Sequence, residues 1–441
     1  MEPRSTALPA KAPAFRTRFA RVLAGVWFRS LQRRGDEQDS GPTLFVLNHP
    51  NGLLDALVAA ALLESSPRLL GKATLWEVLL LRPLIAVFDP IPVHRRADGD
   101  ASPEATGRTF AAVHEAFARG ESVAIFPEGI SHGNRELAPL KTGAARMLLS
   151  APCAVRLVPV GLIYGERERF RHSVLLRLGE PVAFDDLVAQ GATPAAVDDL
   201  TSRMREALVP LTLHGPDDGP QRLAEQLAWL LAEGPRERAA LDTLRGRVRV
   251  LADRLRAIDE PERAEIESRV AQATHTLAHL GVRPDQLGFA YSAGVVARWL
   301  PGFVGRLALA PLIVSIGLWF WPVYRLTGLA IGRLTLDLDV RGTYKFLLGL
   351  VLLPVWLLGS VVLAGWYAGA WGVLGSVVAA ALAFVGLPMA ERVREDLQAI
   401  RGFLRRRDPR AQTIASEREA LLTAFPELRA WVSQVSQVAG A

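Results

Sequence analysis

Residues 346–390 carry no charged side chain at all. A helix crosses a bilayer with about 20 apolar residues, so this Leu-, Val-, Gly- and Trp-rich run is long enough for two crossings. The stretch AGWYAGAWGVLG, residues 364–375, sits at its middle. The turn between the two falls there, and its aromatics suit a membrane interface. A hairpin returns to the side it left. Arg333, Arg341 and Lys345 precede the run and Arg392, Arg394 and Arg401 follow it. The positive-inside rule therefore puts both ends on the cytoplasmic face, making a multi-pass membrane protein. A second charge-free run, between Arg306 and Arg325, is shorter and holds Pro311 and Pro322. It is expected to be re-entrant or interfacial, because a full crossing would put the flanking regions on opposite sides. A buried helical core is the alternative for the whole region, and its length without charge argues against it.

The rest of the chain does not resemble this region. At 441 residues it has room for about three units of ~150. Residues 1–14 read as disordered. In residues 15–40, Phe15, Phe19, Val22, Val26 and Trp27 recur at helical spacing among Arg16, Arg18, Arg21 and Arg29. That pattern is a basic amphipathic helix, lying on a membrane surface or packed on the next domain. Its apolar run, Val22 to Phe28, is too short for a secretory signal. Residues 216–300 are helical and charged, with Leu241, Leu244, Val248, Leu251, Leu255 and Ile258 forming a seam. The membrane region spans 301–390, and 391–441 reads as a charged helical tail.

Residues 41–215 alternate in type. TLFVLN, SVAIFP, VRLVPVGLIYG and SVLLRLGEPV read as strands; LLDALVAAALLE, FAAVHEAFARG and GAARMLLSA read as helices. Alternation of this kind predicts an α/β domain with a largely parallel central sheet flanked by helices. The fold class is therefore an α/β domain, then a helical scaffold, then a C-terminal transmembrane helical region. The net charge is +6, and nearly all the positive charge is arginine, which favours phosphate or carboxylate partners. No recognition motif, zinc pattern or aromatic-basic platform supports nucleic acid. Cys153 is the one cysteine. It excludes a disulfide framework and a Cys-based metal site, and is expected to be a buried thiol in a reducing compartment.

Within the α/β domain, VLNHPNGLLD (Val46 to Asp55) sets a histidine and an aspartate either side of a turn. Pro50 keeps His49 extended, Asn51-Gly52 turns the chain, and a helix begins near Leu53. Residues six apart do not share a helix face, but a strand–turn–helix folds His49 back over the helix start. Asp55 could then accept from one imidazole nitrogen, fix the tautomer and leave the other nitrogen as a general base. Equally, Asp55 could serve only the helix dipole, with His49 a satisfied strand end.

Three further blocks carry chemistry. VAIFPEGISHG (Val123 to Gly133) is a strand running into Glu128, Gly129, Ser131 and His132. Strand ends of parallel sheets bind ligands. DPIPVHRR (Asp89 to Arg96) ends in two arginines suited to phosphate, and RLVPVGLIYG is an apolar strand containing Pro159. In order and spacing, Asn48-His49…Asp55, Ile91-Pro92-Val93-His94-Arg95, Phe126-Pro127-Glu128-Gly129 and Val158-Pro159-Val160 resemble the motifs of the glycerolipid acyltransferase family. The resemblance covers roughly residues 42–182. Two departures, five residues between His49 and Asp55 and Ile130-Ser131-His132 after the Glu-Gly, resemble one branch: the glycerol-3-phosphate/dihydroxyacetone-phosphate acyltransferases of fungi and bacteria.

The resemblance implies a membrane-bound O-acyltransferase of phospholipid synthesis. His49 would take the proton of a glycerol-phosphate hydroxyl as its oxygen attacks an acyl thioester, with Asp55 orienting His49. Arg95 would hold the phosphate, and Glu128 and Gly129 would shape the acceptor site. Ser131, His132 and Lys141 would make further contacts. Lys72 is another phosphate candidate; it and Lys141 are otherwise solvated lysines. No cofactor or metal is implied beyond the acyl-CoA or acyl carrier protein thioester, and the other partners are membrane lipids. Lysophosphatidate is the alternative acceptor. GISHG also matches the G-x-S-x-G elbow of serine hydrolases, but that elbow needs a helix directly after the serine, where GNRELAP stands. A non-enzymatic membrane adaptor is the third class, and His49, Asp55, Glu128 and Arg95 argue against it.

Overall fold

A computed structural model describes residues 15–37, 41–94, 102–133, 136–165, 167, 169–212, 219–231, 241–282, 293–333, 338–405 and 407–424. Residues 1–14 and the end of the tail lie outside the described residues, as do Arg95 and Arg96. The chain divides into two compact units: Met1–His214 with Leu338–Gly342, and Gly215–Asp337 with Thr343–Ala441.

The first unit is built on a seven-stranded sheet. Its strands are β1 (Ser30–Arg34), β2 (Thr43–Leu47), β3 (Arg68–Lys72), β4 (Ile91–Val93), β5 (Val123–Ile125), β6 (Arg156–Tyr164) and β7 (Ser173–Leu178), in the order β1-β7-β6-β2-β5-β3-β4. Every pairing is parallel except β6 with β7. β2 is buried along its whole length, as an inner strand covered on both faces should be. Leu44 and Val46 join the core formed with α4 (Pro103–Ala118), α5 (Gly143–Leu149) and α7 (Pro194–Leu208). Phe45 and Leu47 point to the other face. Helix ends follow local chemistry. Ser102 and Thr193 accept from Ala105 and Ala196 at the starts of α4 and α7, each followed by a proline.

The segment read as one helix over residues 15–40 is two elements. α1 (Phe15–Trp27) ends where Arg171 donates to the carbonyls of Gly25 and Phe28 (2.6 and 3.0 Å), and β1 follows as an edge strand on β7. A cation on the last carbonyls both caps the helix and suits its dipole. α1 buries Thr17, Ala20, Ala24 and Trp27 and packs on α2 (Leu53–Leu62). Arg16 and Arg21 hold Ser66 and the Ala61 carbonyl. Of the apolar stripe, Phe15, Phe19, Val22 and Val26 lie on the opposite side of the helix, with Phe15 73% and Val22 65% exposed, whereas Trp27 falls on the buried side. Cys153 is exposed rather than buried, because it falls in the turn between α5 and β6.

In the second unit, α8 (Gly219–Leu230), α9 (Leu241–Ala257) and α10 (Glu260–Leu280) pack together. The seam residues Leu241, Leu244, Val248, Leu251 and Leu255 are buried. α10 starts on an Asp259 cap with Pro261 in its first turn, and ends at Gly281 with φ 59°. α11 (Ala293–Ala308) is joined to the end of α13 (Leu338–Arg405) through Asp396, which accepts from Trp299 (2.7 Å) and Arg306 (2.8 Å). α14 (Pro409–Ala424) presents Arg418 to the Leu231 carbonyl.

Two helices are long and apolar enough to cross a membrane: α12 (Ala310–Gly332) and residues Arg341–Ala383 of α13. The prolines do not interrupt α12: Pro311 lies in its first turn and Pro322 inside a continuous helix. In α13 the helical path breaks at Gly369, with φ 60° and ψ −143°, a conformation open essentially to glycine. The break falls in the AGWYAGAWGVLG stretch, where Trp366, Tyr367 and Trp371 are 80–86% exposed.

Candidate active site

The turn after β2 builds the site. Asn48 ends the strand with its side chain inward, accepting from Leu162 N (2.7 Å) and donating to Leu162 O (3.1 Å), so it extends the ladder to β6. Gly52 takes φ 58° and ψ −129°, a conformation open essentially to glycine, and so turns the chain between His49 and Asp55. Asp55 lies three residues into α2, fully buried. Its Oδ2 accepts from Asn51 N (2.7 Å) and faces His49 Nδ1 at 2.9 Å. The two residues of the sequence pair therefore meet through the turn. With an acceptor carboxylate at Nδ1, that nitrogen carries the proton and the lone pair stands on Nε2. The ring stacks on Phe126 at 4.2 Å, is partly exposed, and its Nε2 makes no hydrogen bond among the described residues.

The loop after β5 holds His49 from the other side. Glu128, 1% exposed, accepts through Oε1 from His49 N (2.8 Å). Its Oε2 accepts from Ala138 N (2.8 Å) and pairs with His132 Nε2 at 2.5 Å. His132 N in turn donates to the His49 carbonyl (3.2 Å). Glu128 and His132, both expected at the acceptor site, are thus tied to the main chain of His49. Gly129 has φ 71°, and a Cβ there would meet Lys141 Cγ at 3.4 Å, so Lys141 lies across the loop. Ser131 sits in irregular chain, and the next helix among the described residues starts at Gly143. The strand–turn–helix of a nucleophile elbow is therefore not formed at Ser131.

Lys72 ends β3 opposite Val93 of β4, at the same edge of the sheet as His49 and Phe126. Carboxyl ends of parallel strands are where such folds bind ligands. His94 follows there; Arg95, the expected phosphate ligand, lies outside the described residues.

One member of the site had no sequence signal. Tyr164, the last residue of β6, donates its phenol to Asp55 Oδ1 at 2.5 Å. Burial, and then the Asp55 charge beside it, push the phenol's pKa well above its ordinary value, so it stays a donor. No spacing rule links residues so far apart in the chain; only the pairing of β6 with β2 brings them together.

Residues 30–163 match the family model described as Acyltransferase. The chain is 34% identical over 117 residues to glycerol-3-phosphate O-acyltransferase 2 of Saccharomyces cerevisiae, covering 25% of this chain and 16% of that protein. It is 31% identical over 114 residues to an uncharacterized acyltransferase of Schizosaccharomyces pombe, covering 24% and 17%. The match thus spans less than a fifth of the length of these curated relatives. Among solved structures, a 1-acyl-sn-glycerophosphate acyltransferase from Thermotoga maritima aligns at 15% identity with a TM-score of 0.31, over 43% of this chain and 75% of that one.

Proposed function

We propose that this chain, which carries an acyltransferase-family domain, moves a fatty acyl group from a thioester to glycerol-3-phosphate or dihydroxyacetone phosphate. The observation that carries the reading is the buried Asp55 at His49 Nδ1, with Nε2 left for chemistry. In the reaction, Nε2 takes the proton of the acceptor hydroxyl. That oxygen adds to the thioester carbonyl, a C–O bond forms and the C–S bond breaks, and the imidazolium returns its proton to the departing thiolate. Asp55 stabilises the imidazolium meanwhile. The thioester is already activated, so neither metal nor redox cofactor enters. Arg95, Lys72 and Lys141 are the cations for the acceptor phosphate. The similarity to a yeast protein named glycerol-3-phosphate O-acyltransferase favours this acceptor over lysophosphatidate. The test is thiol release by the purified chain with each acceptor in turn, using acyl-CoA and acyl carrier protein donors. Turnover with lysophosphatidate alone moves the reading to that acceptor, and no turnover with any acceptor ends it.

We also propose that the chain is a multi-pass membrane protein with a transmembrane hairpin turning at Gly369 and its catalytic domain on the cytoplasmic face. The α1 stripe would then rest on the bilayer, together with Phe88, whose ring lies 6.1 Å from Phe19, and the exposed Leu79. An environment-sensitive fluorophore tests this in the full chain in vesicles, with Cys153→Ser removing the native thiol. On Val22→Cys its emission is expected to shift to the blue and be quenched by spin-labelled lipid. On Ser202→Cys, exposed on α7, it is expected to do neither. Equal quenching at both positions rejects the orientation.

A further inference from the structure

We infer that Tyr164 is a positioning residue of the His49–Asp55 pair: its phenol holds Oδ1 of Asp55 so that Oδ2 stays aimed at His49 Nδ1. The inference rests on the general-base reading of His49.

A carboxylate on a short side chain can rotate and tilt. In Asp55 both oxygens are tied. Oδ2 faces the imidazole and the Asn51 amide, at 2.9 and 2.7 Å, while Oδ1 faces the phenol at 2.5 Å. The Asn51 amide belongs to the same turn as Asp55 and moves with it. Tyr164 belongs to the sheet. It ends β6, which pairs with β2 in the register Leu47↔Val160, next to the strand that leads into His49. Its ring is wedged against Phe28 at 6.0 Å and His172 at 5.7 Å, and the residue is buried. The phenol therefore references the carboxylate to the strand that also positions the base. A tyrosine that merely needed a buried partner for its hydroxyl would show the same hydrogen bond, so the test must read the imidazole.

Tyr164→Phe keeps the ring and removes the donor. The carboxylate left behind is less neutralised, which favours the imidazolium. Protonated His49 cannot act as base, so the acid limb of the kcat/KM profile moves to higher pH. The expected result is a kcat loss of about tenfold from misorientation, with the acceptor KM nearly unchanged. Among the described residues, the ionisable groups shown around the pair are Glu128 and His132 on the facing loop, and His172 and Arg167 beside Tyr164; none is altered.

A second readout needs no turnover. The pH dependence of His49 carbethoxylation by diethyl pyrocarbonate, followed by peptide mass spectrometry, should shift upward in the same variant. If the wild type turns over no acceptor, the proposed function fails while this measurement still judges the inference. Should Tyr164→Phe not fold, the wild-type chain made with 3-fluorotyrosine, a stronger donor, should move the midpoint downward. An unmoved midpoint in the chain that folds, or a fall in melting temperature alone, overturns the inference.

Discussion

His49→Ala is expected to lower kcat by about 10²–10⁴-fold, the usual worth of a positioned general base, with acceptor KM little changed. The imidazole is the group whose free nitrogen can reach a hydroxyl in this turn, since Asp55 is fully buried and already engaged by three donors. Asp55→Asn should lose activity too, because the amide no longer carries the charge that stabilises the imidazolium. The amide keeps the shape, but if its NH₂ group faces His49 Nδ1, the ring must take the other tautomer and present N–H where a lone pair is needed. If the amide turns the other way, it presents NH₂ to the phenol of Tyr164, which can then no longer donate. The Asn51 amide, which needs an acceptor, favours that second arrangement. Part of the loss is therefore expected to appear as a changed response to Tyr164→Phe. Ser131→Ala separates the chemistries. An acyltransferase loses at most some acceptor binding, leaving kcat within about threefold. Loss of turnover in the serine variant with full activity in His49→Ala would replace the whole mechanism with a covalent one.

Why the pair was readable and its support was not comes down to distance along the chain. His49 and Asp55 are joined by a turn whose residues announce it: a proline that keeps the strand extended and a glycine that takes a positive φ. The inner strands β2, β5 and β6 were readable because burial on both faces writes continuous apolar runs. β1, β3 and β4 were not. β1 and β4 are the outer strands of the sheet, where SLQRR carries the charge that solvent-facing positions permit, and β3, one in from the edge, is only partly buried, so RLLGK begins and ends in a charge. The break in α13 was legible from the length of the charge-free run, whose middle is where two crossings must turn, and Gly369 supplies the conformation there. Tyr164 and Asn48 act through tertiary pairing with residues 109 and 114 positions away, and no periodicity reports that. The α1 helix shows a subtler limit. Its exposed hydrophobic stripe was visible, but the face it buries is Thr17, Ala20, Ala24 and Trp27, three of them small enough for a neighbour to approach closely.

Glu128 is where the two ways of reading this site give opposite experimental results. As an acceptor contact, Glu128→Gln would raise the acceptor KM and leave the fold intact. The geometry argues otherwise. Both carboxylate oxygens receive main-chain N–H groups, from His49 and from Ala138, and Oε2 also pairs with His132. A glutamine offers one oxygen, and its NH₂ must then point at one of two N–H donors. Either orientation leaves a buried donor unsatisfied, at a cost of about 1–3 kcal/mol. If the lost acceptor is the one at His49, the main chain that carries the base is released. The expected result is a lower melting temperature together with a kcat loss of about 10²-fold, since small displacements of a positioned group cost that much. Glu128→Asp should do much the same, because the shorter side chain cannot span His49 and Ala138 at once. A thermal melt beside full kinetics on both variants decides it. A raised KM with unchanged kcat and unchanged melting returns Glu128 to the acceptor site, and the strut between the two loops would then have to be carried by His132 alone.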